Sequence, residues 1–118
     1  MRHIVSSALI GLLPLAALAA APPATAPSAA PAAPDFSQVQ IRVTRVAGDL
    51  YALEGQGGTV SVLAGPDGAL VIDSQFAPLS DKLIAAIRTF SQARLRFLLN
   101  THVHGDHTGG NANFTRAG

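Results

Sequence analysis

Residues 101–111 read Thr101-His102-Val103-His104-Gly105-Asp106-His107-Thr108-Gly109-Gly110-Asn111, and this run constrains the fold more than any other part of the chain. Three of the four histidines stand there within six residues, with a carboxylate among them. Imidazole nitrogen and carboxylate oxygen are the ligands zinc takes where no thiolate is offered, and the chain has no cysteine. His102 and His104 are two apart, so on extended backbone both side chains leave on the same side. Gly105 permits a sharp turn, which would swing Asp106 and His107 toward a neighbouring position. Gly109-Gly110 lack side chains and let backbone approach closely. The spacing predicts two adjacent metal positions, each partly filled from this loop.

What precedes the cluster says how it is carried. Val39, Ile41 and Val43 alternate with Gln40, Arg42 and Thr44, the pattern of a half-buried strand. Gly48-Asp49 turns the chain into a second strand, Leu50 to Leu53. After a glycine-rich turn, Glu54 to Gly58, comes a third, Thr59 to Ala64. Gly65-Pro66-Asp67-Gly68 is a strong turn signal before a fourth strand, Ala69 to Ile72. Short strands joined by tight turns predict an antiparallel meander. Then Leu79, Leu83, Ile84, Ile87 and Phe90 recur at helical spacing, with Lys82 and Arg88 pointing away. Pro78 and Asp81 suit the first turn of that helix. Arg94 to Leu99 follows as a strand, with Leu95, Phe97 and Leu99 in alternation, and delivers the chain to the histidines. A loop at a strand's carboxyl end is where layered α/β proteins build ligand sites.

The N-terminus carries a different message. Met1-Arg2-His3 is a short basic start, Ile4 to Leu18 is mostly apolar, and Ala17-Leu18-Ala19 fits small-residue cleavage. That is the layout of a secretory signal peptide, and the apolar run is shorter than a spanning helix needs. The expected organisation is a signal peptide at 1–19, an Ala/Pro-rich linker at 20–34 and a folded domain at 35–118. The linker's composition favours extended, polyproline-like chain. With Arg2 removed the mature chain is close to neutral, and its arginines are scattered, which excludes a nucleic-acid footprint. The expected location is outside the cytoplasm, in a bacterial periplasm, with no membrane attachment after cleavage.

The stretch His102-x-His104-x-Asp106-His107, following a strand and preceding Gly109-Gly110, resembles the signature of the metallo-β-lactamase-fold superfamily. Asp73, at the end of the Ala69–Ile72 strand, is similar to that family's upstream aspartate. The order of strands, helix, strand and motif resembles the first half of its fold. The resemblance implies an α/β architecture, the N-terminal half of an αββα sandwich. It also implies two zinc ions per complete site: His102 and His104 on the first, Asp106 and His107 on the second. A bridging water would be the nucleophile, Asp106 would orient it and accept its proton, and Asp73 would support the metal loop from behind. Having both Asp106 and His107 resembles the dinuclear hydrolases and the third subclass of metallo-β-lactamases, not the first.

No histidine, aspartate or glutamate follows His107 in these 118 residues. The expectation is therefore the N-terminal part of a longer, secreted, zinc-dependent hydrolase of small-molecule substrates, inactive as this piece alone. An alternative is a short non-catalytic exported zinc-binding module or the remnant of a broken gene. β-Lactams, lactones, thioesters, phosphoesters and sulfate esters all remain open as substrates. Asp73 taken alone reads equally as a turn-forming aspartate before Ser74. Thr101 and Asn111 read as loop-shaping residues, and Glu54 and Asp81 as solvated surface. Half a sandwich is expected to leave apolar surface and strand edges open.

Overall fold

The computed structural model describes residues 34–118. The expected signal peptide (1–19) and all of the linker but Pro34 lie outside the described residues. Five strands form one sheet in the order β1-β2-β3-β4-β5. They are β1 (Arg42–Ala47), β2 (Leu50–Glu54), β3 (Thr59–Gly65), β4 (Gly68–Ile72) and β5 (Leu95–Leu99). The first four make the expected antiparallel meander, with Leu53 opposite Val60 and Val62 opposite Val71. A 3-10 turn, Ala77–Leu79, and helix α1, Ser80–Arg88, then cross over, so that β5 joins β4 in parallel. Two short helices follow β5: α2 (Gly105–Thr108) and α3 (Asn111–Ala117).

Alternation sorts the sheet residues onto two faces. Leu53, Val60, Val62, Ala69 and Val71 point to one face and are buried against Leu79, Leu83, Ile87 and Phe114. Tyr51 extends that layer by stacking on Phe90, their ring centroids 3.8 Å apart. Burying a side chain of this size contributes about 1.5–3 kcal/mol, so the helical stripe read from the sequence is what holds α1 on the sheet. Asp81 in its first turn and Arg88 in its last complement the helix dipole.

The opposite face carries Leu50, Leu63, Leu70, Ile72, Phe97 and Leu99, and it is open: Leu63 is 48% exposed, Phe97 56% and Leu99 55%. Half a sandwich has this form, one sheet with helices on one side only.

Three expectations need correction. The strand predicted from Val39 begins at Arg42, and all six residues of β1 are exposed. The backbone before it is engaged otherwise: Lys82 Nζ donates to Phe36 O at 3.0 Å, Ser37 O at 2.7 Å and Val39 O at 2.7 Å. Lys82 therefore does not point away from the fold, and Val39 and Ile41 pack beside the core from a segment tied to α1. Third, Leu95, Phe97 and Leu99 do not share a face. Ala69 pairs with Leu95 but Leu70 pairs with Phe97, an irregularity that leaves Arg96 as an extra residue. Leu95 is buried while Phe97 and Leu99 turn to the open face.

Candidate metal centre

Strand β4 ends at Ile72, and the chain there bends through two left-handed residues, Asp73 (φ 66°) and Gln75 (φ 51°). The three side chains Asp73, Ser74 and Gln75 are buried. Asp73 and Ser74 meet the histidine loop through their side chains, because that loop leaves the neighbouring parallel strand β5 at the same end of the sheet. The backbone N–H of Asp73 continues the ladder to Leu99 O at 2.8 Å. Its carboxylate accepts from the Thr101 backbone N–H and the Thr101 hydroxyl, both at 2.8 Å. The same Oδ2 lies 2.8 Å from His107 Nδ1.

A carboxylate is an acceptor only, so the proton in the last contact belongs to His107 Nδ1, and Nε2 keeps its lone pair. That Nε2 stands 3.5 Å from Asp106 Oδ2. The Thr101 hydroxyl spends its hydrogen on Asp73 and can accept from His102 Nδ1, 3.0 Å away. The His102 Nε2 lone pair is thereby freed, and it lies 3.2 Å from His104 Nδ1. One buried carboxylate thus sets the tautomer of His107 directly and of His102 through Thr101. Burial would raise the Asp73 carboxyl, but the hydrogen bonds from His107 and Thr101 outweigh it and hold its pKa below 3.8.

The loop is braced from the backbone side as well. Ser74 N–H and Asn100 Nδ2 donate to His107 O at 2.8 and 2.9 Å. The Ser74 hydroxyl reaches Asn111 Oδ1 at 2.7 Å, and Asn111 Nδ2 donates to Asn100 Oδ1 at 2.7 Å. Gly109 and Gly110 are glycines because of close approach: a Cβ would stand 2.9 Å from Gln75 O at the first and 2.5 Å from Ser74 O at the second. Gly105 plays a lesser part than its sequence position suggests. It opens α2 at an unstrained φ, and a Cβ on it would meet nothing within 4 Å.

The five residues singled out from sequence, Asp73, His102, His104, Asp106 and His107, are therefore gathered in one place. Sequence reading missed Ser74, Gln75 and Asn100, and took Gly57 and Gly58 for a plain turn. The signal lay in Asp73-Ser74-Gln75, three polar residues directly after an apolar strand.

The donor chemistry suits zinc in two halves. Two ligands at about 2.0–2.1 Å from a tetrahedral zinc lie about 3.3 Å apart. The His102 Nε2–His104 Nδ1 separation of 3.2 Å and the His107 Nε2–Asp106 Oδ2 separation of 3.5 Å are close to that. Each pair offers two donors, and among the described residues no three acidic or imidazole side chains converge on one point. The residues would fit zinc as two incomplete positions.

Comparison with known proteins bears on the same region. The metallo-beta-lactamase superfamily profile matches residues 53–118. No match was found among curated proteins. Among solved structures the chain is similar to a beta-lactamase from Chitinophaga pinensis, at 28% identity and TM-score 0.60, over 72% of this chain and 33% of that one. It is similar to the metallo-beta-lactamase GOB-18 from Elizabethkingia meningoseptica, at 24% identity and TM-score 0.62, over 72% and 32%. A class B3 di-zinc metallo-beta-lactamase, LRA-12 from an Alaskan soil metagenome, is 23% identical with TM-score 0.59, over 65% and 30%. The chain thus spans about a third of the length of the solved structures it matches. With the profile running through β2 to α3, over more than half of the sequence, the chain belongs to the metallo-beta-lactamase superfamily.

Proposed function

We propose that this chain is the N-terminal part of an exported, dinuclear zinc-dependent hydrolase of small-molecule substrates. The observation that carries the reading is the pairing of donors, His102 with His104 and Asp106 with His107, at separations suited to ligands of a common ion. The remaining ligands and a second sheet over the open face would come from residues outside these 118. Zinc, when bound, supplies an acidified water and polarises the scissile group.

The chain's own residues would do the rest. His102 and His104 would present Nε2 and Nδ1 to the first ion, and His107 would present Nε2 to the second. Asp106 would bind there too, orient the attacking water and take its proton. Asp73 and Thr101 would hold the imidazoles in the tautomers these roles require. Among the described residues no helix is long and apolar enough to cross a membrane. Export to a bacterial periplasm is supported by residues 1–19, whose layout is that of a cleaved signal.

A β-lactam is the first substrate class to test, because the relative from Chitinophaga pinensis, 28% identical, is a beta-lactamase. Zinc titration of chelator-stripped full chain should give binding tighter than that of a synthetic peptide spanning 101–111, and His102→Ala should weaken it. Affinity equal to the peptide's would overturn the reading. Sequencing beyond the Gly118 codon supplies any longer form, on which turnover of a chromogenic cephalosporin can be measured.

A further inference from the structure

We infer that Gln75 is a positioning residue for the second metal position: its side-chain amide pins the glycine turn 55–58 against His107 and Asp106. The inference rests on the dinuclear reading above and deepens it.

The first ground is that Gln75 is an expensive choice where it stands. Its backbone is left-handed at φ 51°, a conformation glycine adopts without penalty. Its side chain is fully buried, which costs rotamer freedom and desolvation of an amide. The bend after β4 requires none of this, so the amide needs another explanation.

The second ground is what the amide touches. Nε2 donates to Gly58 O at 2.5 Å. A Cβ placed on Gly58 would stand 2.9 Å from His107 Cε1, and one on Gly57 would stand 3.1 Å from Asp106 Cβ. One on Gly55 would lie 2.7 Å from Gln75 Oε1. The turn is therefore a thin spacer, with the Gln75 amide on one side and both second-position donors on the other. From its backbone, Gln75 O also accepts the Gly110 N–H at 3.0 Å, just beyond the helix that carries Asp106 and His107. Oε1 has no hydrogen-bond partner among the described residues. Reversing the amide would set Oε1 against Gly58 O, acceptor against acceptor, so the orientation is fixed. A shift of Gly58 must move the His107 ring that rests on it, and with it the spacing of His107 Nε2 from Asp106 Oδ2.

The discriminating variant is Gln75→Gly, which keeps the left-handed backbone at lower cost and removes the side chain with its amide. In the chelator-treated full chain, the nuclear Overhauser contact between Gly58 Hα and His107 Hε1 should be strong in the wild type and lost in Gln75→Gly. Cobalt(II) affinity should fall about tenfold, with a change in the visible absorption bands of the bound ion. Gly58→Ala keeps the amide but crowds His107 directly, and should change the bands in a similar way. A Gln75→Gly protein with the wild-type contact and wild-type cobalt binding would overturn the proposal and leave Gln75 a turn residue. If the wild type itself gives no cobalt bands, the dinuclear reading fails, while the metal-free contact still decides whether Gln75 positions His107.

Discussion

Asp73 and His107, thirty-four positions apart in sequence, meet at 2.8 Å between Oδ2 and Nδ1. The contact exists because β4 and β5 are parallel neighbours, so the residue ending one strand faces the loop ending the other. With Thr101 on the same carboxylate, it links one histidine of each donor pair to a single anchor.

Replacing Asp73 by Asn tests that anchor. Asn keeps the shape but presents one oxygen where the carboxylate presents two, so Thr101 and His107 cannot both be held as before. Loss of such an outer partner costs about 10–100-fold in metal affinity. Calorimetric zinc titration of Asp73→Asn should show a drop in that range, with the far-ultraviolet circular dichroism of the fold retained. Unchanged affinity would remove Asp73 from the site.

The same carboxylate gives the metal-free chain an acid limb. Its native pKa lies below the ordinary 3.8, so its contribution to stability is complete above the unfolded value. As pH falls through 3.8 and then through the native pKa, that contribution is lost. Urea midpoints of the chelator-treated wild type should therefore decline across this acidic window, and those of Asp73→Asn should decline less. Parallel curves for the two proteins would show that other carboxylates set the limb.

Much of this was legible in the chain. Strands β2 to β4, the stripe Leu79, Leu83 and Ile87, and the grouping of His102, His104, Asp106 and His107 follow from period and spacing. What could not be read depends on partners distant in sequence. The side of Phe97 is set by an irregular pairing with β4, not by its own alternation. The start of β1 is set by Lys82, whose ammonium claims the Val39 carbonyl that a strand from Val39 would have offered. Gln75 and Gly58 gain meaning only once the sheet brings 58, 75 and 107 together.

Lys82 supports a prediction of its own. All three of its ammonium hydrogens find carbonyl oxygens in residues 36–39, tying the entry segment to α1. Lys82→Met keeps the aliphatic stem and removes those bonds. The cost should be about 1–2 kcal/mol, since hydrogen bonds from a partly solvated charge contribute modestly. Hydrogen exchange should accelerate at residues 36–41 first, with β2 to β4 still protected. Equal exchange in both proteins would mean that the packing of Phe36 on Phe76, not Lys82, holds the segment.

The open sheet face supplies the last test, because its behaviour depends on what covers it. Leu63, Phe97 and Leu99 sit beside Leu70 and Ile72 with about half of each of the first three exposed. Soluble monomers rarely display contiguous apolar surface of more than a few hundred Å², so the 118-residue chain should self-associate and bind a hydrophobic dye. Leu63→Lys with Phe97→Lys should suppress both effects in light scattering and dye fluorescence. The melting temperature should change little, because neither side chain belongs to the buried core on the α1 side. In a longer protein that packs a second sheet there, the same pair of substitutions should be strongly destabilising, since each would bury a charge in an apolar layer. Little change in the short chain beside a large loss in the longer one would identify this face as the inner face of a sandwich. A destabilised short chain would instead mean that the face is already covered by contacts within residues 1–118.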